Sequence, residues 1–321
     1  MPMWRRDSTS TDPAAGDEEL ATVLKARSLD LGAALALLDS RPKGSETRAH
    51  AVHVIGTDPR LDDALAAVGA DIESDPGGTA ALLAAVRAHN LAWEARGRAV
   101  TSMTTEGQFD EFHARLEDAE RRLLAMARTR EDDDVPYWYL LSCARGLHRD
   151  EDVVQTRFDM LRKVAPDHRR GHSHVLRCVS PKWYGSLQGM VDFAWACSEQ
   201  RAAGSNLHGI VAEALVEGAV SFIGSGPPDV HSTEAFWADQ RTHDQLQIAY
   251  RSFATGADDH DAPWRVRDLN TFVYAAAQTG CVDEGRHALE ALQGRVSDYP
   301  WRYFADDLPA AYAATAQQLT G

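Results

Sequence analysis

Apolar residues recur along most of the chain at the spacing of one helix face. A helix with 3.6 residues per turn brings positions i, i+3, i+4, i+7 and i+8 to one side. This spacing occurs at Leu187, Met190, Val191, Ala194 and Trp195, and again at Leu207, Ile210, Val211, Ala214 and Leu215. A third stripe consists of Phe109, Phe112, Leu116, Leu123 and Leu124. Alternating apolar and polar stretches rich in Val, Ile and Thr are nearly absent, so we predict an all-α protein.

Short segments rich in Gly, Pro, Asp and Ser separate the predicted helices, for example at 56–59, 74–78, 166–167, 224–228 and 297–300. Asp and Ser can cap the free N–H groups of a helix start, and Pro fits its first turn. The spacing predicts helices joined by short turns into antiparallel hairpins. The polar, Pro-containing start predicts a disordered tail over 1–17. A repeat-like helical region is expected over 18–130, continuous with a helical array over 131–321.

A repeated pattern is clearest over residues 135–168. The large, small, aromatic and closing positions of a helix–turn–helix unit are taken in order by Trp138, Leu141, Ser142, Val154, Phe158, Leu161 and Pro166. This order resembles the 34-residue tetratricopeptide repeat, with Ser142 in place of Gly, Val154 in place of Ala and Arg145 in place of Tyr. Small residues in such a unit let two helices approach closely, and Pro ends the second helix.

A second copy of the pattern covers about 266–299. Its apolar and small positions are Leu269, Phe272, Val273, Ala276, Gly280, Gly285, Leu289 and Leu292. Gly280 falls at the turn between the two helices, where a left-handed residue is often required. The resemblance implies antiparallel helical hairpins stacked as a tetratricopeptide-like superhelix, or solenoid, in which each hairpin contacts its neighbours.

The segment 181–186, Pro-Lys-Trp-Tyr-Gly-Ser, precedes a predicted helix that carries Met190. It resembles an uncharacterised bacterial family of tetratricopeptide-like proteins with Pro-Lys-Trp-Gly-Gly-Ser at this place, although Tyr184 replaces the first glycine. That resemblance supports the fold and implies no activity. The residues themselves indicate packing, because Gly185 permits a tight turn and Trp183 is a bulky apolar side chain suited to the junction between hairpins.

The resemblance implies a protein-binding module with a concave groove lined by the first helix of each hairpin. The groove-facing residues carried over by repeat position are Tyr139, Cys143, Leu147, Asn270, Tyr274 and Gln278. The expected partner is another protein or a peptide. The alternative is an enzyme or small-molecule binder of a specialised pathway, with a pocket near His172, Trp183 and Tyr184. Self-association through apolar end-faces of the array is a third hypothesis, in which the helix at 308–314 is a cap or a contact.

Charge narrows the choice of partner. The chain has 33 Lys+Arg against 48 Asp+Glu and a formal net charge of −15. Nucleic acid and anionic membrane both need positive charge, so neither is expected as the partner. There is no apolar run of transmembrane length and no signal-peptide pattern at the start, and the four cysteines do not form a disulfide framework. These features predict a cytoplasmic protein.

Candidate chemistry is sparse. His168 and His172 have the i, i+4 spacing of a metal pair, with His174 nearby, but Arg169 and Arg170 intervene and no His-Glu-x-x-His pattern occurs. The runs 131–134 and 258–261 are interpreted as exposed acidic turns. Phosphate-binding glycine loops and the Gly-x-Ser-x-Gly frame are missing. We therefore expect no catalytic residue, metal or cofactor, and a binding protein rather than an enzyme.

Overall fold

The computed structural model describes residues 12–97, 105–183, 185–223, 230–255 and 263–321. Throughout these ranges the chain forms helices and turns, and they contain no strand. The prediction of an all-α protein is therefore confirmed. The chain divides into two compact units, one comprising Asp17–Ser186 and the other comprising Leu187–Gly321 with residues 12–16.

The first unit contains ten α-helices in its described residues. They are α1 Glu18–Lys25, α2 Leu31–Ser40, α3 Glu46–Thr57, α4 Leu61–Ala66, α5 Gly69–Ser74, α6 Thr79–Arg96, α7 Glu106–Thr129, α8 Asp134–Gly146, α9 Glu151–Val164 and α10 Arg169–Cys178. Helices α6 and α7 pack together, as do α8 and α9, while α8 also lies between α6 and α10. Helix α3 packs against α6 and α8.

Small residues set the closest approaches between these helices. A Cβ on Gly146 would lie 2.5 Å from Leu116 Cδ2 and 3.1 Å from a ring atom of Trp93. A Cβ on Gly56 would lie 2.4 Å from Val86 Cγ1. Glycine is therefore required where α8 meets α6 and α7, and where α3 meets α6, because any side chain would displace well-packed neighbours.

Residues 135–168 form a helical hairpin, with α8 and α9 joined by a short turn. The positions assigned to the interior are all buried, namely Trp138, Leu141, Ser142, Val154, Phe158 and Leu161. Helix α8 is buried along its whole length. A helix buried on every side has no solvent-facing stripe, and its sequence therefore does not mark one face for a partner.

The acidic run 131–134 is not a uniformly exposed turn. Asp133 and Asp134 are both fully buried. Asp133 accepts a pair of hydrogen bonds from the Arg48 guanidinium at 2.8 and 2.9 Å, and Arg130 lies 2.8 Å from its second oxygen. Glu131 and Asp132 have the expected exposure, and Asp132 lies beside Lys43. The prediction for this run is corrected, because a distant arginine compensates the burial of the carboxylate.

These contacts also cross residue 130, where the sequence places the junction of two continuous helical regions. The Arg48–Asp133 pair joins α3 to the start of α8, which places both sides of that boundary in one compact unit. The predicted tail over 1–17 is described only in part. Residues 1–11 lie outside the described residues, but Asp17 caps α1 through the Leu20 N–H and its carboxylate lies 2.7 Å from Arg41.

The second unit contains seven α-helices in its described residues, with short 3-10 helices at Asn206–His208 and Trp301–Tyr303. The α-helices are α11 Leu187–Glu199, α12 Gly209–Ser221, α13 Val230–Ala238, α14 Gln240–Ala254, α15 Pro263–Thr279, α16 Val282–Leu292 and α17 Leu308–Thr320. Helices α15 and α16 pair over the second predicted repeat, and Gly280 between them has a φ of 78°. Helix α17 packs against both.

A helix that spans a bilayer needs about 20 consecutive, predominantly apolar residues. Among the helices of the described ranges, none combines the length and the apolar character that crossing a membrane requires.

Candidate functional site

Two of the three groove residues predicted on α8 lie in the core. Tyr139 is 1% exposed and Cys143 is completely buried, while Leu147 at the end of α8 is half-buried. Tyr139 packs edge-on against His89, with ring centroids 4.8 Å apart. Burial raises the pKa of the Cys143 thiol far above its ordinary value. The expectation that Tyr139 and Cys143 face a partner is therefore corrected, because α8 is surrounded by other helices.

Two of the three groove residues predicted on α15 are also buried. Asn270 is fully buried, donates to the Val266 and Arg295 carbonyls, and accepts a 2.8 Å hydrogen bond from the Trp301 indole. Tyr274 is also buried and stacks on Phe304, with centroids 4.4 Å apart. Gln278 alone is exposed. The chain after the predicted repeat folds back over this face of α15, which the repeat pattern does not indicate.

The alternative pocket is predicted near three residues, His172, Trp183 and Tyr184. His172 is buried, lies 3.0 Å from the His168 carbonyl through Nδ1, and meets Phe158 edge-on with centroids 4.9 Å apart. Trp183 is half-buried near Arg145 and His148. Tyr184 lies outside the described residues. The neighbours described for His172 and Trp183 do not overlap, and they do not define one shared pocket.

The structure instead assembles a cluster around Trp138 on α8. Its buried floor consists of His89, Asn90, Trp138 and Tyr139. Five half-buried side chains surround this floor, and we call them the basic–aromatic rim: His53, Trp93, Arg170, His174 and Arg177. Arg170 lies over the Trp138 ring at 5.0 Å, and His174 stacks on that ring with centroids 5.8 Å apart.

Helix α10 contributes most of the charge in this rim. Its ten residues contain three arginines, two histidines and no acid, in a protein of net charge −15. Arg170, His174 and Arg177 follow one another at i, i+4 and i+7, which places them on one side of the helix. The spacing along the chain predicts a candidate metal pair and a candidate pocket residue here, and the same spacing also predicts a basic stripe.

The imidazoles of the cluster are held neutral. Burial depresses the pKa of His53 and His174 well below the ordinary value, and the positive charges of Arg170 and, for His174, Arg145 and Arg177 lower it further. The pKa of His89 is lowered to about 4, mainly by burial. Because two causes act in the same direction at His53 and His174, the cluster combines a low dielectric with positive potential.

Ser142, His89 and Asn90 form a hydroxyl–imidazole–amide relay in the floor. Ser142 Oγ lies 2.9 Å from His89 Nε2, and His89 Nδ1 lies 3.0 Å from Asn90 Oδ1. Hydrolases use this connectivity to activate a nucleophile. Here Ser142 is buried within a helix, and the Trp93 indole donates to the same imidazole nitrogen at 3.0 Å. The relay therefore fixes α6 against α8 and leaves the hydroxyl without access to a substrate.

The histidines considered for a metal have other contacts. His168 caps α10 by accepting from the Gly171 N–H through Nδ1, and its Nε2 lies 3.0 Å from Asp134. His172 and His174 belong to the separate neighbourhoods described above. Across the ranges that the structure describes, no group of three or more His, Cys, Asp or Glu side chains is placed to hold a metal ion.

The second unit has an open hollow of about 490 Å³, lined by Trp195, Ser198, Glu199, Arg201, His208, Ile248 and Ser252. Its buried imidazole is fully engaged, since His208 Nδ1 lies 2.7 Å from Ser198 Oγ and Nε2 lies 2.9 Å from the Ala202 carbonyl. The hollow has a ligand-like size.

No family model, no curated protein and no solved structure matches this chain. The function therefore has to follow from the helices and side chains themselves. Of the sites described, the Trp138 cluster combines positive potential, aromatic surface and buried polar groups in a single compact unit.

Proposed function

We propose that this protein is an interaction module that binds an acidic segment of a partner protein on the basic–aromatic rim of its first unit. The support is the concentration of Arg170, His174 and Arg177 on one side of α10, beside aromatic side chains from α6 and α8. Interfaces of this kind favour arginine and tryptophan, which supply both planar contact area and hydrogen bonds.

In this proposal the paired helices form a tetratricopeptide-like array, and the partner lies in its concave groove. Helices α6 and α8 are the first members of the successive pairs α6–α7 and α8–α9, and α8 packs against both α6 and α10, which favours this arrangement. The contact residues differ from those suggested by repeat position, because α8 itself is buried. Replacing Tyr139 with alanine would therefore report on folding rather than on binding.

Charge reversal tests the proposal. The full chain is offered a panel of acidic, neutral and basic peptides, and binding is measured by fluorescence anisotropy at two salt concentrations. We expect acidic peptides to bind more weakly as salt rises, and the double variant R170E/R177E to lose at least about tenfold in affinity, because it replaces two attractive charges with repulsive ones. The variant R170Q/R177Q removes the two charges without reversing them, so it should lose less affinity for acidic peptides. It also serves as a control in case the charge-reversed variant misfolds.

A matched control is available on α7, where Arg121 and Arg122 are exposed and both pair with Asp118. The variant R121E/R122E makes the same change of net charge at a distance from the rim residues along the chain. Equal losses in the two double variants would show that net charge alone decides binding. Absence of any acidic peptide that binds the unaltered protein would reject the proposal.

The small-molecule alternative gains no support from His172 and Trp183, whose neighbours differ. It is favoured instead by the floor of the Trp138 cluster, where Trp138 and Tyr139 have polar atoms with no hydrogen-bond partner. An enzyme activity has no comparable observation, since Ser142 is enclosed.

A further inference from the structure

Five side chains at or near Trp138, none of them arginine, bury a polar atom that has no hydrogen-bond partner. The atoms are His53 Nδ1, Asn90 Nδ2, Trp138 Nε1, Tyr139 OH and His174 Nδ1. Each buried donor or acceptor left without a partner costs about 1–3 kcal/mol. Folded proteins leave few such atoms, so five in one region need an explanation.

These atoms belong to one continuous cluster. The Trp138 ring lies 6.4 Å from the His53 ring and 5.8 Å from the His174 ring, measured between centroids. Trp138 and Tyr139 are neighbours with centroids 3.6 Å apart. Asn90 lies close enough to the Tyr139 hydroxyl to oppose slightly the rise in its pKa, yet the two groups are not aligned as a hydrogen bond. Four helices, α3, α6, α8 and α10, therefore contribute the side chains that carry these atoms to one cluster.

The chemistry of the atoms is mainly that of donors. The indole nitrogen of Trp138 and the amide nitrogen of Asn90 can only donate. Burial raises the pKa of the Tyr139 hydroxyl far above its ordinary value, so that it also keeps its proton to donate. Neutral imidazoles can present an N–H at Nδ1. The neighbouring arginines give the region around His53 and His174 a positive potential. Hydrogen-bond donors in such a region suit a ligand that has several acceptor oxygens and a negative charge.

We propose that the floor of the Trp138 cluster binds a small oxyanion, a phosphate or a carboxylate, through the indole of Trp138, the hydroxyl of Tyr139 and the amide of Asn90. The half-buried side chains of the rim surround this position. This site goes beyond the proposed contact with an acidic protein segment, because a free oxyanion can occupy it without any peptide.

The test uses the full chain and the indole N–H signals of its eight tryptophans, observed by NMR. Inorganic phosphate and acetate are titrated separately to about 20 mM, with ionic strength held constant by chloride. The variant W138F identifies the Trp138 signal, since it keeps an aromatic ring and removes the N–H group. We expect that signal to shift and saturate, with the two titrations showing which oxyanion is preferred.

The variant Y139F tests the hydroxyl. We expect it to bind the preferred oxyanion at least about tenfold more weakly, the loss typical of a hydrogen bond to a charged group. Its thermal stability without oxyanion should be no lower than that of the unaltered protein, because the hydroxyl has no protein partner to lose and its burial is itself unfavourable. The variant Y312F, which removes a buried hydroxyl in the second unit, should leave oxyanion binding unchanged.

Three results would overturn the proposal. The first is no shift of the Trp138 signal with either oxyanion, which would leave water as the partner of these atoms. The second is a saturating shift confined to another tryptophan. The third is unchanged affinity in Y139F. The proposed peptide contact is tested separately by R170E/R177E, so that either proposal can fail while the other stands.

Discussion

The buried ion pair between Arg48 and Asp133 permits a quantitative prediction for the variant D133N. Asparagine keeps the shape of the side chain and can still cap the start of α8, where Asp133 accepts from the Val135 N–H. It removes the carboxylate that accepts both Arg48 hydrogen bonds, so that Arg48, which is 1% exposed, is left with the more distant Asp134 carboxylate, at 3.6 Å, as a buried counter-ion. Breaking a buried pair in this way costs about 3–5 kcal/mol.

The neighbouring residue provides the control. Asp132 pairs with Lys43 at 2.7 Å, but its side chain is 75% exposed and the lysine is also partly in solvent. An exposed pair contributes about 0–1 kcal/mol, so D132N should have little effect. Both variants remove one negative charge from the same acidic run, and they differ only in burial and in partners.

Urea unfolding followed by circular dichroism measures the free energies. The double variant R48M/D133N should be more stable than D133N alone, because it no longer buries a cation that has lost its two hydrogen bonds to Asp133. A loss below about 1 kcal/mol in D133N, or equal losses in D133N and D132N, would refute the assignment of this pair as the link between α3 and α8.

Three further predictions concern the packing of the same fold. The imidazole of His89 should titrate by NMR with a pKa of about 4. In the unfolded chain the same imidazole binds a proton below pH ~6.5, so the protein should lose about 3 kcal/mol of stability as the pH falls from ~6.5 to about 4. A measured His89 pKa above ~6 would contradict this. The variant G146A should lose about 1–3 kcal/mol of stability, because its new methyl group overpacks the contact with Leu116. The variant G280A has no atom within 4 Å of its Cβ and should lose only about 1–2 kcal/mol, the cost of placing alanine in a left-handed backbone conformation. Melting temperatures of both variants equal to that of the unaltered protein would refute both predictions. Among the four cysteines, Cys197 is half-buried and the other three are buried, so a thiol reagent should modify Cys197 first in the native protein; simultaneous modification of all four would show that the core is open.

The residues assigned to the groove show what position in the repeat predicts and what it does not. The pattern over 135–168 correctly marks apolar positions that are buried, because these depend on the helical period alone. It does not reveal that α8 is enclosed on all sides, since that depends on α3, α6, α7, α9 and α10 together. Asn270 and Tyr274 are covered by the chain near Trp301 and Phe304, which follows the predicted repeat.

The Trp138 cluster was missed for a related reason. The basic spacing of Arg170, His174 and Arg177 is visible along the chain, and it predicts a stripe on one helix. Nothing in that spacing shows that Trp138 lies beneath it, or that Asn90 and Tyr139 complete the floor. A cluster drawn from four helices becomes apparent only when the helices are packed.

Local physics thus determined the class of this protein: hydrophobic period, capping Asp and Ser residues, and turn-forming Gly and Pro act over a few residues and specify helices wherever they occur. Tertiary structure alone decided which acids are buried and which helix faces remain accessible. Asp132 and Asp133 are adjacent and chemically identical, yet one meets solvent and the other meets an arginine 85 residues away. Burial and charge pairing are properties of contacts between distant segments, and these exist only in the folded chain.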